Sequence, residues 1–310
     1  MQAKYTRERY MAIKTVQAVI DGQTYNLTYD SASGKYKATI TAPGKTSYNQ
    51  TGGYYNVTVK ATNDAGTTGT ADGSTLAGLK LVVKERVAPV ITIVSPASGA
   101  YVSNNKQPVV FTVTDEAGGS GVDLTTLVVK QDDTAAASST IKTTAITNGY
   151  SVTYTPAAAL SDGSHTVTIS VSDHDGNAAE EKSTTYKLDT IPPTLNVTSP
   201  TDNLVTATAA LTVAGTTNDA TSSPVTIAVK LNGTDQGAVT VAANGSWTKQ
   251  VTLTEGTNTL VVTATDAAGQ VTSITRTVKL DTSVPTIKSA TITPNPADAG
   301  ATMVITVEIA

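Results

Sequence analysis

The chain contains no cysteine in its 310 residues. That excludes disulfides, cysteine nucleophiles and thiolate metal sites, so each domain must be held by its own core or by ions ligated through oxygen. Aromatic residues make up only 5% of the sequence, with one tryptophan and one phenylalanine, and the hydrophobic content of 39% is lean. Charge is also sparse, at 15% of residues and a net charge of −4. A chain so balanced has no electrostatic footprint for nucleic acid or for an anionic membrane surface. No apolar run is long enough to insert into a bilayer. The segment Met1–Tyr10 lacks the apolar core of a signal peptide and reads as a short N-terminal arm, residues 1–10.

Threonine, alanine, valine, serine and asparagine fill the composition. Such residues suit half-buried strands whose outer face is neutral and rich in hydroxyls. The chain is organised by a recurring phrase. Thr166–Asp173, a turn at His174–Asn177 and a second strand lead to Lys187-Leu-Asp189-Thr-Ile-Pro-Pro193. The phrase returns as Leu260–Asp266, a turn at Ala267–Gln270, and Lys279-Leu-Asp281-Thr-Ser-Val-Pro285. The offsets, 266 − 173 = 93 and 281 − 189 = 92, set a module of about 92 residues. A weaker copy runs from Val57 through Asp64-Ala-Gly66 to Pro89. Strand, tight turn, partner strand and a proline-marked exit describe the end of one small all-β domain and the start of the next.

The expected division is an all-β domain at 11–87, sandwiches at 88–190 and 191–282, and a partial fourth domain at 283–310. In the first domain, alternating residues broken by Asp21-Gly22 and Ser31–Gly34 predict a strand meander. Six tyrosines fall there. Tyr48, Tyr54 and Tyr55, beside Asn49, Gly52 and Gly53, read either as sheet packing or as an exposed contact patch, since tyrosine makes rigid amphipathic contacts. Phe111 is expected in the core of the second domain, and residues 132–140 as a mobile edge loop. Trp247 reads as packed against its sheet, with a ligand-stacking platform as the alternative. Two strands cannot close a sandwich, so Ile287–Ile309 reads as a truncation or as strands that pair with another chain's sheet edge.

Ser161-Asp-Gly-Ser-His165, Ala264-Thr-Asp-Ala-Ala-Gly269 and the joints ending at Pro193 and Pro285 resemble the tandem bacterial immunoglobulin-like domains of surface adhesins and of phage tail and fibre proteins. The resemblance covers most of residues 88–310. It implies an all-β fold of immunoglobulin-like β-sandwiches in an extended rod. It also implies a non-enzymatic structural or adhesive part of a phage virion, located outside the cell. The implied partners are other virion or surface proteins and a host-surface glycan, with no nucleic acid and no membrane insertion. A fragment of a bacterial cell-surface adhesin and a spacer module of a secreted enzyme are the alternatives. Nothing marks a catalytic nucleophile near His165 or His174.

No cofactor is required on this reading; calcium is the one ion to test. In a sandwich of this kind the loop of the last hairpin lies at the pole where the chain enters. Asp189 is then expected near Asp266 and Asp219. At the joint before the second domain the expected group is Glu85, Asp115, Glu116, Asp123, Asp173 and Asp175. Calcium takes six to eight oxygen ligands, and filling that shell would stiffen a joint. The same Asp-rich turns also form without metal, because Asp and Asn side chains bond their own backbone.

Overall fold

The computed structural model describes residues 12–310; the expected arm at 1–10 lies outside the described residues. The chain divides into two compact units. The first runs to Ala100 and includes Lys106–Leu160 and Ser164–Tyr186; the second holds Tyr101–Asn105, Ser161–Gly163 and Lys187–Ala310. No helix among the described residues is long and apolar enough to cross a membrane.

The first unit opens with an antiparallel meander. Its five-stranded sheet runs in the order Lys35–Lys37, Gln23–Asp30, Ile13–Ile20, Thr58–Asn63, Thr68–Ala71. Ile20 pairs with Gln23 across the two-residue turn Asp21-Gly22, whose φ angles of 46° and 75° match the strand twist. A separate ladder joins Tyr55–Asn56 to Lys80–Leu81. The third strand is shorter than its alternation predicts. It stops at Lys37, and Ala38 to Pro43 run on without a ladder.

Two sheets follow. One orders Ile141–Ile146, Gly149–Tyr154, Val109–Thr114 and Val90–Ser95. The other contains Thr134–Ala135, Val122–Gln131, Gly163–Asp173 and Lys182–Leu188. Along Gly163–Asp173 every second residue from His165 to Asp173 is buried, as one inward face requires. Phe111, Val109, Val113, Val152, Val167, Ile169 and Tyr186 are fully buried. Each such side chain contributes roughly 1.5–3 kcal/mol by leaving water. The segment expected as a mobile edge loop carries regular structure. Lys130 and Gln131 pair with Ala135 and Thr134, and Ser138–Thr140 forms a turn of 3₁₀ helix.

The second unit repeats this plan. Thr194–Ser199, Ala210–Asn218 and Ser246–Thr252 form one sheet. Leu204–Thr206, Val271–Leu280, Gly256–Thr265, Thr226–Leu231 and Thr234–Asp235 form the other. The core gathers Val213, Val229, Trp247, Leu260, Val262 and Val278. Trp247 is thus a packed core residue, 2% exposed. Its ring has room because residue 215 is glycine: a Cβ there would lie 2.6 Å from the indole and 2.1 Å from the Asn196 carbonyl. The Asn232-Gly233 hairpin forms as its sequence predicts, with φ of 52° and 83°. The unit ends in a two-stranded ribbon, Ile287–Thr293 against Val304–Ile309, exposed throughout.

Candidate functional site

Among the described residues, two groups of acidic side chains each bring three potential ligand atoms within 4.8 Å of one another: Asp189, Asp219 and Asp266, and Glu85, Asp115 and Glu116. The first group lies in the second unit. Each member follows the end of a core strand: Lys182–Leu188, Ala210–Asn218 and Gly256–Thr265. Asp189 is fully buried and Asp266 is 6% exposed. One oxygen of each carboxylate serves its own turn. Asp189 Oδ1 accepts from Ile191 N at 3.0 Å, Asp219 Oδ1 from Ser222 N at 2.7 Å, and Asp266 Oδ1 from Gln270 N at 2.8 Å. The second oxygens of Asp189 and Asp266 are buried and have no hydrogen-bond partner. A buried carboxylate oxygen without a donor is costly. Two of them converging with a third acid form the donor set of a hard cation.

The second group lies in the first unit. Asp115 and Glu116 follow the strand Val109–Thr114, and Glu85 lies in the segment that ends the first domain. Asp115 Oδ2 accepts from Gly121 N at 2.7 Å, and Glu85 Oε1 accepts from Ser120 N. Asp115 Oδ1 and Glu85 Oε2 are buried without partners. A Cβ on Gly119 would stand 2.7 Å from Asp115 Oδ2 and 2.8 Å from Glu85 Oε2, so the absent side chain keeps this cradle open. Glu85 first, then burial and Asp115, push the Glu116 carboxyl up to about 7. That is the response of like charges crowded together.

The other acids expected at this joint are not in the group. Asp173 is buried, but Asn177 satisfies both its oxygens, the backbone N at 2.8 Å and the side-chain amide at 2.7 Å. Asp175 ties together segments far apart in the first unit: its Oδ2 accepts from Thr46 Oγ1 at 2.5 Å and from Glu85 N at 3.0 Å. Asp123 accepts from the Thr125 hydroxyl at 2.6 Å and backbone at 2.9 Å, which lowers its pKa, and lies 3.8 Å from His174. None of the three joins the Glu85, Asp115 and Glu116 group: Asp173 has both oxygens hydrogen-bonded, and Asp123 and Asp175 each have one so engaged.

Asp281 repeats the position of Asp189 without gathering a group. The Ser283 hydroxyl and Lys279 ammonium occupy its oxygens and hold its pKa down to about 2.

The tyrosine patch needs a similar correction. Tyr55 is 4% exposed, and its hydroxyl donates to Lys45 O at 3.3 Å. Tyr54 is half-buried under the Lys80 ammonium, 4.8 Å from the ring centre. Tyr54 lies in the bend before the strand Tyr55–Asn56, at whose start Tyr55 is buried. Tyr48 alone is well exposed, and it stacks on His174 at 4.4 Å with 9° between the rings. His165 Nδ1 lies 2.7 Å from Asp132 Oδ2, and His174 Nδ1 lies 3.8 Å from Asp123 Oδ2.

Fold and site define a class: a tandem of immunoglobulin-like β-sandwiches with acidic groups at the points where one module follows another. Residues 98–190 match the bacterial Ig-like domain family, and residues 193–282 match glucodextranase domain B. No curated protein matches the chain. Among solved structures, the fibronectin(III)-like modules of Clostridium thermocellum CbhA align over 62% of this chain and 94% of theirs, at 19% identity and a TM-score of 0.42. Titin domains A168–A170 align over 87% and 92%, at 12% identity and a TM-score of 0.42. The Bacteroides ovatus mixed-linkage glucan utilization protein SGBP-B, solved with a mixed-linkage heptasaccharide, aligns over 93% and 65%, at 15% identity and a TM-score of 0.22.

Proposed function

We propose that this protein is a non-enzymatic reach-and-attach element outside the bacterial cell, whose joints are set by calcium. The observation that carries the reading is the pair of acidic groups, each with two buried carboxylate oxygens. Asp189 and Asp266 in one, and Asp115 and Glu85 in the other, each keep an oxygen without a donor. Their chemistry suits holding a cation and stiffening a joint. Asp219 and Glu116 complete the two sets. Calcium fits because all the side-chain donors are carboxylate oxygens, with backbone carbonyls and water left to fill its larger shell.

Phage tail or fibre is the setting we place first, following the resemblance of the repeated joints, with other virion proteins and a host-surface glycan as partners. A bacterial surface adhesin is the alternative, and the neighbouring genes separate the two: tail and lysis genes against a secretion or sortase locus. The match of residues 193–282 to glucodextranase domain B favours a second reading, an accessory module of a secreted glycan-degrading enzyme. Linkage to a catalytic glycosidase gene would select it. Calcium is tested by calorimetric titration of the chelator-treated chain and by melting with and without chelator. Two binding events and a raised midpoint are expected; an unchanged midpoint and no binding heat would remove the ion.

A further inference from the structure

Beside the Glu85, Asp115 and Glu116 group, the first unit has an open cleft of about 370 Å³. That volume falls within the roughly 300–1,000 Å³ of small-ligand sites. Two domains build it. The loop carrying Tyr48 comes from the first, and Asn49 Nδ2 fixes that loop by donating to Gly119 O at 2.6 Å. The second supplies Glu116, His174 and the turn of the hairpin Ile141–Tyr154, with Asn148 and Tyr150. Asn148 holds the left-handed turn position, φ 57°, and is exposed. Tyr48 and Tyr150 bring ring surface to the lining, and Tyr48 is braced from one side by His174. The Tyr48 and Tyr150 hydroxyls and the Asn148 amide take no hydrogen bond from within the described chain. The lining includes no lysine or arginine.

We propose that this cleft is a glycan-binding subsite. Aromatic ring surface beside uncommitted hydroxyl and amide groups suits a pyranose, whose C–H face packs on a ring while its hydroxyls both donate and accept. Phosphorylated or otherwise anionic ligands are disfavoured by the two carboxylates in its lining, Asp115 and Glu116. The cleft's shape depends on both domains, so the inference rests on the joint reading above. With an ion in the acidic group, the wall is held and its charge is offset.

The test uses the full chain on an array of neutral and anionic glycans, followed by calorimetry with the best-retained oligosaccharide, in calcium and in chelator. Retention of a neutral glycan is expected. Y48A should weaken it roughly tenfold, the scale of a central aromatic contact. Tyr150→Phe and Asn148→Gly preserve the packing and the left-handed turn while removing one polar group each. Each should weaken binding severalfold with an unchanged melting midpoint. Y29A, which alters an exposed ring outside the cleft, should have no effect. No glycan retained, or Y48A and Y29A behaving alike, would overturn the subsite. Calcium titration of the same samples separates the two ideas: calcium bound with no glycan retained defeats the cleft alone, and glycan retained without calcium binding defeats the ion alone.

Discussion

Asp189 and Asp266 converge with their Oδ1 atoms tied to their own turns and their Oδ2 atoms buried without donors. Carboxylates so placed repel one another unless a cation lies between them. A calcium ion bound there would stabilise the folded state by about 2.7 kcal/mol at a free concentration one hundred times its dissociation constant.

D189N and D266N should each abolish most of the calcium-induced rise in melting midpoint in the second unit, read through the fluorescence of Trp247. In chelator both variants should melt at or above the parent, because one charge has gone. A variant that keeps the full calcium response would remove the residue from the ligand set.

The contrast between Asp173 and Asp266 gives a finer test. The positions lie 93 residues apart in equivalent turns, as do Asn177 and Gln270. Asn177 reaches back to Asp173 Oδ2, whereas Gln270 offers Asp266 only its backbone N. Q270N should supply the missing donor, stabilise the calcium-free turn by about 1 kcal/mol, and weaken calcium binding roughly tenfold. Titration calorimetry would read both effects; unchanged affinity would show that the side chain at 270 does not control that oxygen.

Gly215 tests the core. An added Cβ would meet the Asn196 carbonyl at 2.1 Å and the Trp247 ring at 2.6 Å, and the backbone contact cannot be relieved by rotating a side chain. G215A should therefore cost about 3 kcal/mol, the upper end of ordinary overpacking. It should also shift Trp247 emission to the red. A midpoint within one degree of the parent would contradict the packing described.

Asp132 supplies the pH test. Burial raises its pKa, but His165, the Thr166 N–H and Gln131 together outweigh burial and leave it below the ordinary 3.8. A depressed folded pKa contributes stability that is complete above the unfolded value. That contribution is lost as the pH falls through the folded one. The urea midpoint of the parent should exceed that of D132N at pH 5, and the gap should narrow as the pH falls below the ordinary 3.8. Asn tolerates the left-handed backbone at this position, φ 48°, so the substitution isolates the charge. A gap independent of pH would assign the effect to packing instead.

Much of the fold was legible because its signals are local. Alternation along Gly163–Asp173, the turns at Asp21-Gly22 and Asn232-Gly233, and the repeated joint all appear in short windows. Trp247 was legible as a packed residue. The meander at the start of the chain was read less well: its third strand stops at Lys37, shorter than its alternation suggested. Alternation alone does not say whether a partner strand is present.

From the residues alone came the all-β character, the spacing of the modules and the short roster of acids near their joints, since periodicity, turn chemistry and repetition need no distant partner. Tertiary structure decided which carboxylate oxygens remain without a donor. Asp173 is satisfied by a residue four positions on, Asp175 by the backbone of Glu85, 90 positions away, and Asp281 by its neighbours. Tyr55 turned inward while Tyr48 stayed out for the same reason. A side chain's remaining valence depends on what the rest of the chain brings within about 3 Å of it, and sequence spacing does not set that distance.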